Sequence, residues 1–153
     1  MDQLTYLDRV KVQCEILLPF YKCIRDELGA ERAATLLRAA VREYALELGR
    51  TAGQTIPGES VAQVKAMMPM FAAGDALDVE PVADSPSEFS INVRGCRYAD
   101  YFMGLNEPEF GAMITCEADV PMMETFSKTI TMERTQTILK GGSHCDFRWT
   151  AKA

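Results

Sequence analysis

Basic residues are in short supply in this chain. Sixteen Lys and Arg face 22 Asp and Glu, a formal net charge of −6 with a pI near 4.8. Nothing is left over to neutralise a run of phosphates, which excludes nucleic acid as a partner; an anionic substrate would need a local Arg cluster or backbone donors. No apolar run reaches the roughly 18 residues that span a bilayer, so no membrane helix is expected. The opening MDQLTYLDRVKVQ lacks the basic-then-apolar order of a secretory leader, which makes the cytoplasm the expected location. No CxxC pair occurs among the five cysteines at 14, 23, 96, 116 and 145. An odd number of them in a reducing compartment reads as free thiols, with Cys14 and Cys23 as small buried hydrophobes. Repeats, low-complexity stretches and linkers are absent too, so residues 1–153 are expected to form a single domain.

What is present suffices for a continuous core. The chain has 153 residues, 48% of them hydrophobic and 25% charged, which places it among globular domains. Leu4, Leu7, Val10, Cys14, Leu17, Leu18 and Tyr21 recur at three- and four-residue steps and predict a helix, kinked or split at Pro19 and stopped at Gly29. Ala33, Leu37, Ala40, Val41, Tyr44 and Leu48 share the face of a second helix, and Gly49 to Gly58 reads as the loop after it. A third helix through Val61, Val64, Met67 and Met68 is expected to break near Pro69. The methionines here are read as core filler, with a pocket lined by flexible thioethers as the alternative.

From Leu77 the period changes to two. Leu77 to Glu80 and Phe89 to Val93 form a hairpin candidate about the turn Asp84–Ser87. A short helix is expected over Arg97 to Gly104. Another starts at Asn106, with Asn106 as cap and Glu109 reaching back to it, and runs to about Val120 before Pro121. Thr129 to Glu133 and Thr135 to Leu139 read as one long or bulged strand, and Cys145 to Thr150 as the last. The fold class is therefore α+β: residues 1–75 mainly helical, residues 76–150 a small antiparallel sheet of about four strands with helices between two hairpins.

The chemistry-bearing residues gather in the second half. On the last strand, Cys145, Phe147 and Trp149 alternate onto one face, and Asp146 and Arg148 onto the other. The apolar company of Cys145 makes that face the inner one. On the helix from Asn106, the residues three, seven and ten places after Glu109 are Ala112, Cys116 and Asp119, all within about a quarter-turn of one another. A thiol between two carboxylates suits a general base or a metal surface. Cys96, Cys116, Cys145 and Asp119 number enough donors for zinc, although spacings of 20 and 29 residues match no zinc signature. No cofactor is assigned on this basis, and a divalent zinc or manganese ion stays open. The alternative use of Cys145 is as a thiolate nucleophile with a base nearby, either His144, if the Gly141-Gly142 turn swings it round, or Asp119 or Glu109. Arg134 and Arg148 can each grip a substrate carboxylate or instead form a salt bridge to Asp146 or Glu133.

Five short motifs in order carry a family resemblance: Cys96-Arg97-Tyr98-Ala99-Asp100-Tyr101-Phe102, Pro108-Glu109-Phe110-Gly111, Cys116-Glu117-Ala118-Asp119, Arg134-Thr135-Gln136-Thr137 and Gly141 to Arg148. Together they resemble the L-2-amino-thiazoline-4-carboxylic acid hydrolase family over about residues 85–150. The resemblance implies hydrolytic opening of a C–N bond in a small ring, a cyclic amidine or cyclic amide. It places Cys96, Glu109, Cys116, Asp119, Arg134, His144, Cys145 and Asp146 at the family's motif positions. Cys145, His144, Asp119 and Glu109 are the expected catalytic residues. Arg134, Arg148, Cys116, Cys96 and Trp149 are expected to bind a small heterocyclic substrate. The order of elements also looks like the four-vinyl-reductase-type small-molecule-binding domains, so a binding or sensor module without catalysis is the competing expectation. A homo-oligomer is left open.

Overall fold

The computed structural model describes residues 4–153; Met1, Asp2 and Gln3, the start of the segment read for a leader, lie outside the described residues. Among the described residues the order is α1 (Tyr6–Leu28), α2 (Ala30–Thr55), α3 (Ser60–Ala72), β1 (Leu77–Asp84), β2 (Glu88–Cys96), α4 (Arg97–Gly104), α5 (Pro108–Ile114), α6 (Asp119–Phe126), β3 (Ile130–Glu133) and β4 (Cys145–Ala151). Short 3-10 turns occupy Cys116–Ala118 and Ile138–Lys140. The strands form one open antiparallel sheet in the order β1-β2-β4-β3. This is the expected α+β architecture, with two hairpins and helices between them. No helix among the described residues is long and apolar enough to cross a membrane.

α1 begins with a reciprocal cap: Asp8 N–H donates to the Thr5 hydroxyl, and Thr5 N–H donates to the Asp8 carboxylate, both at 3.1 Å. It ends at Gly29, whose φ of 84° suits only a residue without Cβ. Pro19 neither splits α1 nor does Pro69 break α3. Both prolines are exposed, so the carbonyl each leaves unpaired faces water and the helix continues.

The expected loop from Gly49 is instead the last part of α2. Gly49 and Gly53 lie inside the helix because α6 crosses it at backbone contact. A Cβ on Gly49 would stand 2.9 Å from the Met122 carbonyl carbon, and one on Gly53 would stand 3.2 Å from that of Phe126. The buried face of α2 is accordingly Ala33, Leu37, Ala45, Gly49 and Ala52, and the predicted Ala40 and Tyr44 point outward. The connection is the short turn before Ser60, where Gly58 has φ 108°.

Two further expectations change near the site. The long helix from Asn106 is two helices: α5 stops at Ile114, where Thr115 turns its hydroxyl onto the Gly111 carbonyl at 2.7 Å, and α6 restarts at Asp119. Asn106 has φ 57° and does not cap; Glu107 precedes the helix. Pro121 opens α6 rather than ending α5, a first-turn position where no backbone donor is needed. The expected strand Thr135 to Leu139 is not a strand. The Asp146 carboxylate takes the backbone N–H of Thr135 at 2.9 Å and of Gln136 at 2.8 Å, and the Thr135 hydroxyl at 2.6 Å, so the chain peels off the sheet after Glu133.

Candidate functional site

The inner face of the sheet supplies the floor of a pocket. Val93 of β2 pairs with Cys145 of β4, and Phe89 with Trp149, so Cys145, Phe147 and Trp149 line one side as the period-two pattern requires. The three aromatic rings stack along the sheet, Phe147 on Trp149 at 5.1 Å and Phe89 on Trp149 at 5.6 Å. Met67, Met68 and Phe71 of α3, Met122 and Met123 of α6, and Met132 of β3 form the walls. Tyr6 and Tyr98 close another side, the Tyr98 hydroxyl donating to the Phe71 carbonyl at 2.9 Å. The cavity volume is about 120 Å³, room for one small ring rather than a drug-sized ligand.

Polar groups concentrate at one end. Cys96 caps α4, Cys116 follows the break after α5, Asp119 begins α6, Arg134 follows β3, and Cys145 begins β4; all five line the pocket. Arg134, with its side chain only 11% accessible, is ion-paired with Asp119. It also donates to the Cys116 carbonyl at 2.7 Å and lies 5.1 Å from the Phe147 ring centroid. Asp119 is half-buried at the pocket wall, and desolvation there pushes its carboxyl up from 3.8 to about 6, against the pull of Arg134. The thiols are held neutral. Burial pushes Cys96 up to about 11, despite a 3.5 Å hydrogen bond from Ala99 N–H. Burial also raises Cys116 and Cys145; the Ile138 N–H donating to Cys145 Sγ at 3.4 Å and the nearby Arg134 offset part of the effect at Cys145.

The structure thus brings together Cys96, Cys116, Asp119, Arg134, Cys145 and Trp149. It does not bring in Glu109, His144 or Arg148. Glu109 is exposed beside a separate groove between α1, α2 and α5, because the helix break at Thr115 turns Cys116 and Asp119 away from it. His144 stays outside the pocket, its Nδ1 2.8 Å from the Ser143 hydroxyl and 3.5 Å from Arg94, since the Gly141-Gly142 turn does not swing it inward. Arg148 lies on the opposite sheet face, donating to the Ile91 carbonyl at 2.7 Å and to Asn92 Oδ1 at 2.9 Å. The set Cys96, Cys116, Cys145 and Asp119 does not converge as ligands for zinc or manganese: among the described residues, no group of three or more His, Cys, Asp or Glu is placed to hold a metal ion. Sequence reasoning missed Tyr6 and Tyr98, although Tyr98 sits inside the first quoted motif. It also set aside the thioether lining, which the nine methionines signalled.

An open antiparallel sheet covered by helices, with a small pocket where thiols meet a half-buried carboxylate, defines a pocketed α+β domain. The chain belongs to the L-2-amino-thiazoline-4-carboxylic acid hydrolase family, whose model matches residues 9–149. No curated protein sequence matches it significantly. Among solved structures it is similar to a trafficking protein particle complex subunit 3 from Naegleria fowleri, covalently bound to palmitic acid. That similarity has a TM-score of 0.51 at 13% identity, over 94% of this chain and 97% of the other. It also matches the phenol-responsive sensory domain of the transcription activator PoxR with phenol, with a TM-score of 0.47 at 16% identity, over 87% and 71% of the two chains. At these identities the likeness concerns the fold.

Proposed function

We propose that the chain is a hydrolase that opens a C–N bond of a small cyclic amidine or cyclic amide, with Cys145 as nucleophile and Asp119 as proton carrier. The observation that carries this reading is the Asp119–Arg134 pair, which shares one mostly apolar pocket with the Cys145 thiol. A thiol held neutral needs a base. Asp119, with a pKa of about 6, is ionised at neutral pH yet more basic than an ordinary carboxylate. A carboxylate on the substrate takes a share of the Arg134 guanidinium, loosens its hold on Asp119 and so strengthens that base. Asp119 accepts the thiol proton as Cys145 Sγ attacks the sp2 ring carbon. It then returns that proton to the ring nitrogen as the C–N bond breaks. The same carboxylate then takes a proton from water as the oxygen attacks the acyl-like intermediate, and it returns that proton to the Cys145 sulfur as the C–S bond breaks. The stacked aromatic floor and the thioethers exclude other water and fit a flat ring.

The test is to incubate the protein with 2-aminothiazoline-4-carboxylate and a panel of small lactams and cyclic amidines, and to follow each by mass spectrometry. One compound should gain the mass of one water, and Cys145→Ser should lose that conversion. Retained turnover in Cys145→Ser overturns the nucleophile.

One feature favours a second reading, that of a binding module without catalysis: the pocket is mostly apolar and all three of its thiols are held protonated. That reading predicts stoichiometric binding of a small ring compound, no product, and the same affinity in Cys145→Ser.

A further inference from the structure

Helix α1 has two apolar stripes, and among the described residues only one packs inside the chain. Leu7, Val10, Cys14, Leu18 and Tyr21 face the core. On the opposite side, Val12, Ile16 and Phe20 follow one another at four-residue steps and are 54%, 78% and 60% exposed. Pro19 and Cys23 on the same side are also exposed. Single exposed apolar side chains are ordinary, but a contiguous stripe on a charged chain marks a contact surface.

The ends of the stripe say what covers it. Arg9 and Glu27 are both exposed, and at 100° per residue their separation is five whole turns, so they lie on one line along the helix with the apolar residues between them. Among the described residues neither forms an ion pair within the chain. A stripe that is positive at one end, negative at the other and apolar in the middle is complementary to itself when turned end for end. We propose that α1 is the seam of a homodimer in which the α1 helices of two copies pack antiparallel about a two-fold axis beside residue 18. In that single register Ile16 meets the partner's Phe20, and Arg9 meets the partner's Glu27. A parallel seam sets Arg9 against Arg9 and Glu27 against Glu27, which excludes it. The stripe is about 27 Å long. One helix pair of that length buries less than the roughly 800 Å² per partner of a standard interface, so the dimer dissociates on dilution.

Sedimentation velocity of the full chain over a concentration series, at low and moderate salt, reads this out. A reversible monomer–dimer shift is expected. Ile16→Glu, a change at an exposed position that leaves the helical circular dichroism unaltered, should raise the dissociation constant roughly thirtyfold or more. Arg9→Glu and Glu27→Arg should each weaken self-association. An equimolar mixture of the two variants, or the double variant, should restore it, a rescue that non-specific stickiness does not give. A chain monomeric at every concentration overturns the proposal, whether or not it floats with phosphatidylcholine vesicles; flotation would assign the stripe to a lipid surface. A dimer indifferent to Ile16→Glu, or a charge swap without rescue, also overturns it.

Discussion

The molecule has two hydrophobic clusters that are equally buried and differently built. The first, between α1, α2, α4 and α5, is made of Leu7, Leu18, Leu37, Phe102, Phe110 and their neighbours, with Met113 as its one buried methionine. Its rings meet edge to face or tilted, Phe102 on Phe110 at 6.0 Å and Tyr21 on Phe110 at 5.3 Å. It has no slack: a Cβ on Gly111 would fall 2.6 Å from the Phe102 Cβ. The second cluster, between α3, α6 and the sheet, includes Met67, Met122, Met123, Cys145 and Trp149, with Met68, Met70 and Met132 at its margin. It supplies most of the pocket wall, to which the first cluster adds Tyr6, Tyr98, Ile114 and Cys116. Stiff side chains with few rotamers fix the first cluster in one arrangement, while unbranched thioethers let the second close around whatever enters. The rigid cluster thus backs one side of the pocket, and the adaptable cluster forms most of the rest.

Truncation in the rigid cluster gives the largest expected effect. Phe102→Ala should cost about 3–5 kcal/mol in urea unfolding while leaving turnover per folded molecule unchanged; an equal loss of turnover would show that the two clusters are not separable. Asp119→Asn should act in the opposite sense, lowering kcat by about a hundredfold or more in a chain that stays folded. The pH profile sharpens this. In the proposed mechanism Asp119 must be ionised to accept the thiol proton, so kcat/KM in the wild type should fall about tenfold per pH unit below the raised carboxyl value of about 6, and that limb should vanish in the variant. For stability the sign is reversed. A carboxyl raised from 3.8 to about 6 favours the fold while protonated, fully below the lower value, and that contribution is lost as pH rises through the higher one.

Asp146 is the counter-case beside it. Burial pushes its carboxyl up, but the Thr135 hydroxyl and the backbone donors of Gln136 and Thr135 outweigh that and hold it below the ordinary range. Its contribution is therefore present at neutral pH and lost in acid. Asp146→Ala should cost about 1–2 kcal/mol, because it removes three hydrogen bonds to a carboxylate at the Thr135–Gln136 turn. It should also raise KM, because the loop carrying Arg134 loosens. The smallest effect belongs to the adaptable cluster: Met67→Leu should change stability by less than about 1.5 kcal/mol yet shift the ranking of substrates by ring size.

Much of this arrangement was legible wherever the signal is local. Period-two alternation put Cys145, Phe147 and Trp149 on the pocket side, and the shift of period at Leu77 separated helices from sheet. Several of the misreadings share a cause, which is that a partner distant in sequence decided the outcome. Gly49 and Gly53 look like loop residues until α6 is seen to need their missing side chains. Thr135 and Gln136 look like strand until the Asp146 carboxylate claims their N–H groups. Glu109 shares a helix face with Asp119 only on paper, because the break at Thr115 rotates one away from the other. Tyr6 enters the pocket from the far end of the chain, a placement no spacing rule contains.

The close crossing of α2 and α6 also has a kinetic meaning. Besides the two glycines, the Thr125 hydroxyl donates to the Leu46 carbonyl at 2.6 Å between residues 79 apart in sequence. α6 is the element that presents Asp119, and it finds its seat only after a chain segment of that length has closed. Local helices and the β1–β2 hairpin can form early, whereas a contact so remote in sequence forms late. During refolding, fluorescence from the single Trp149, on the wall of the same pocket, should therefore report a step slower than the gain of helical signal. On this account the pocket is complete only once α6 has docked on α2.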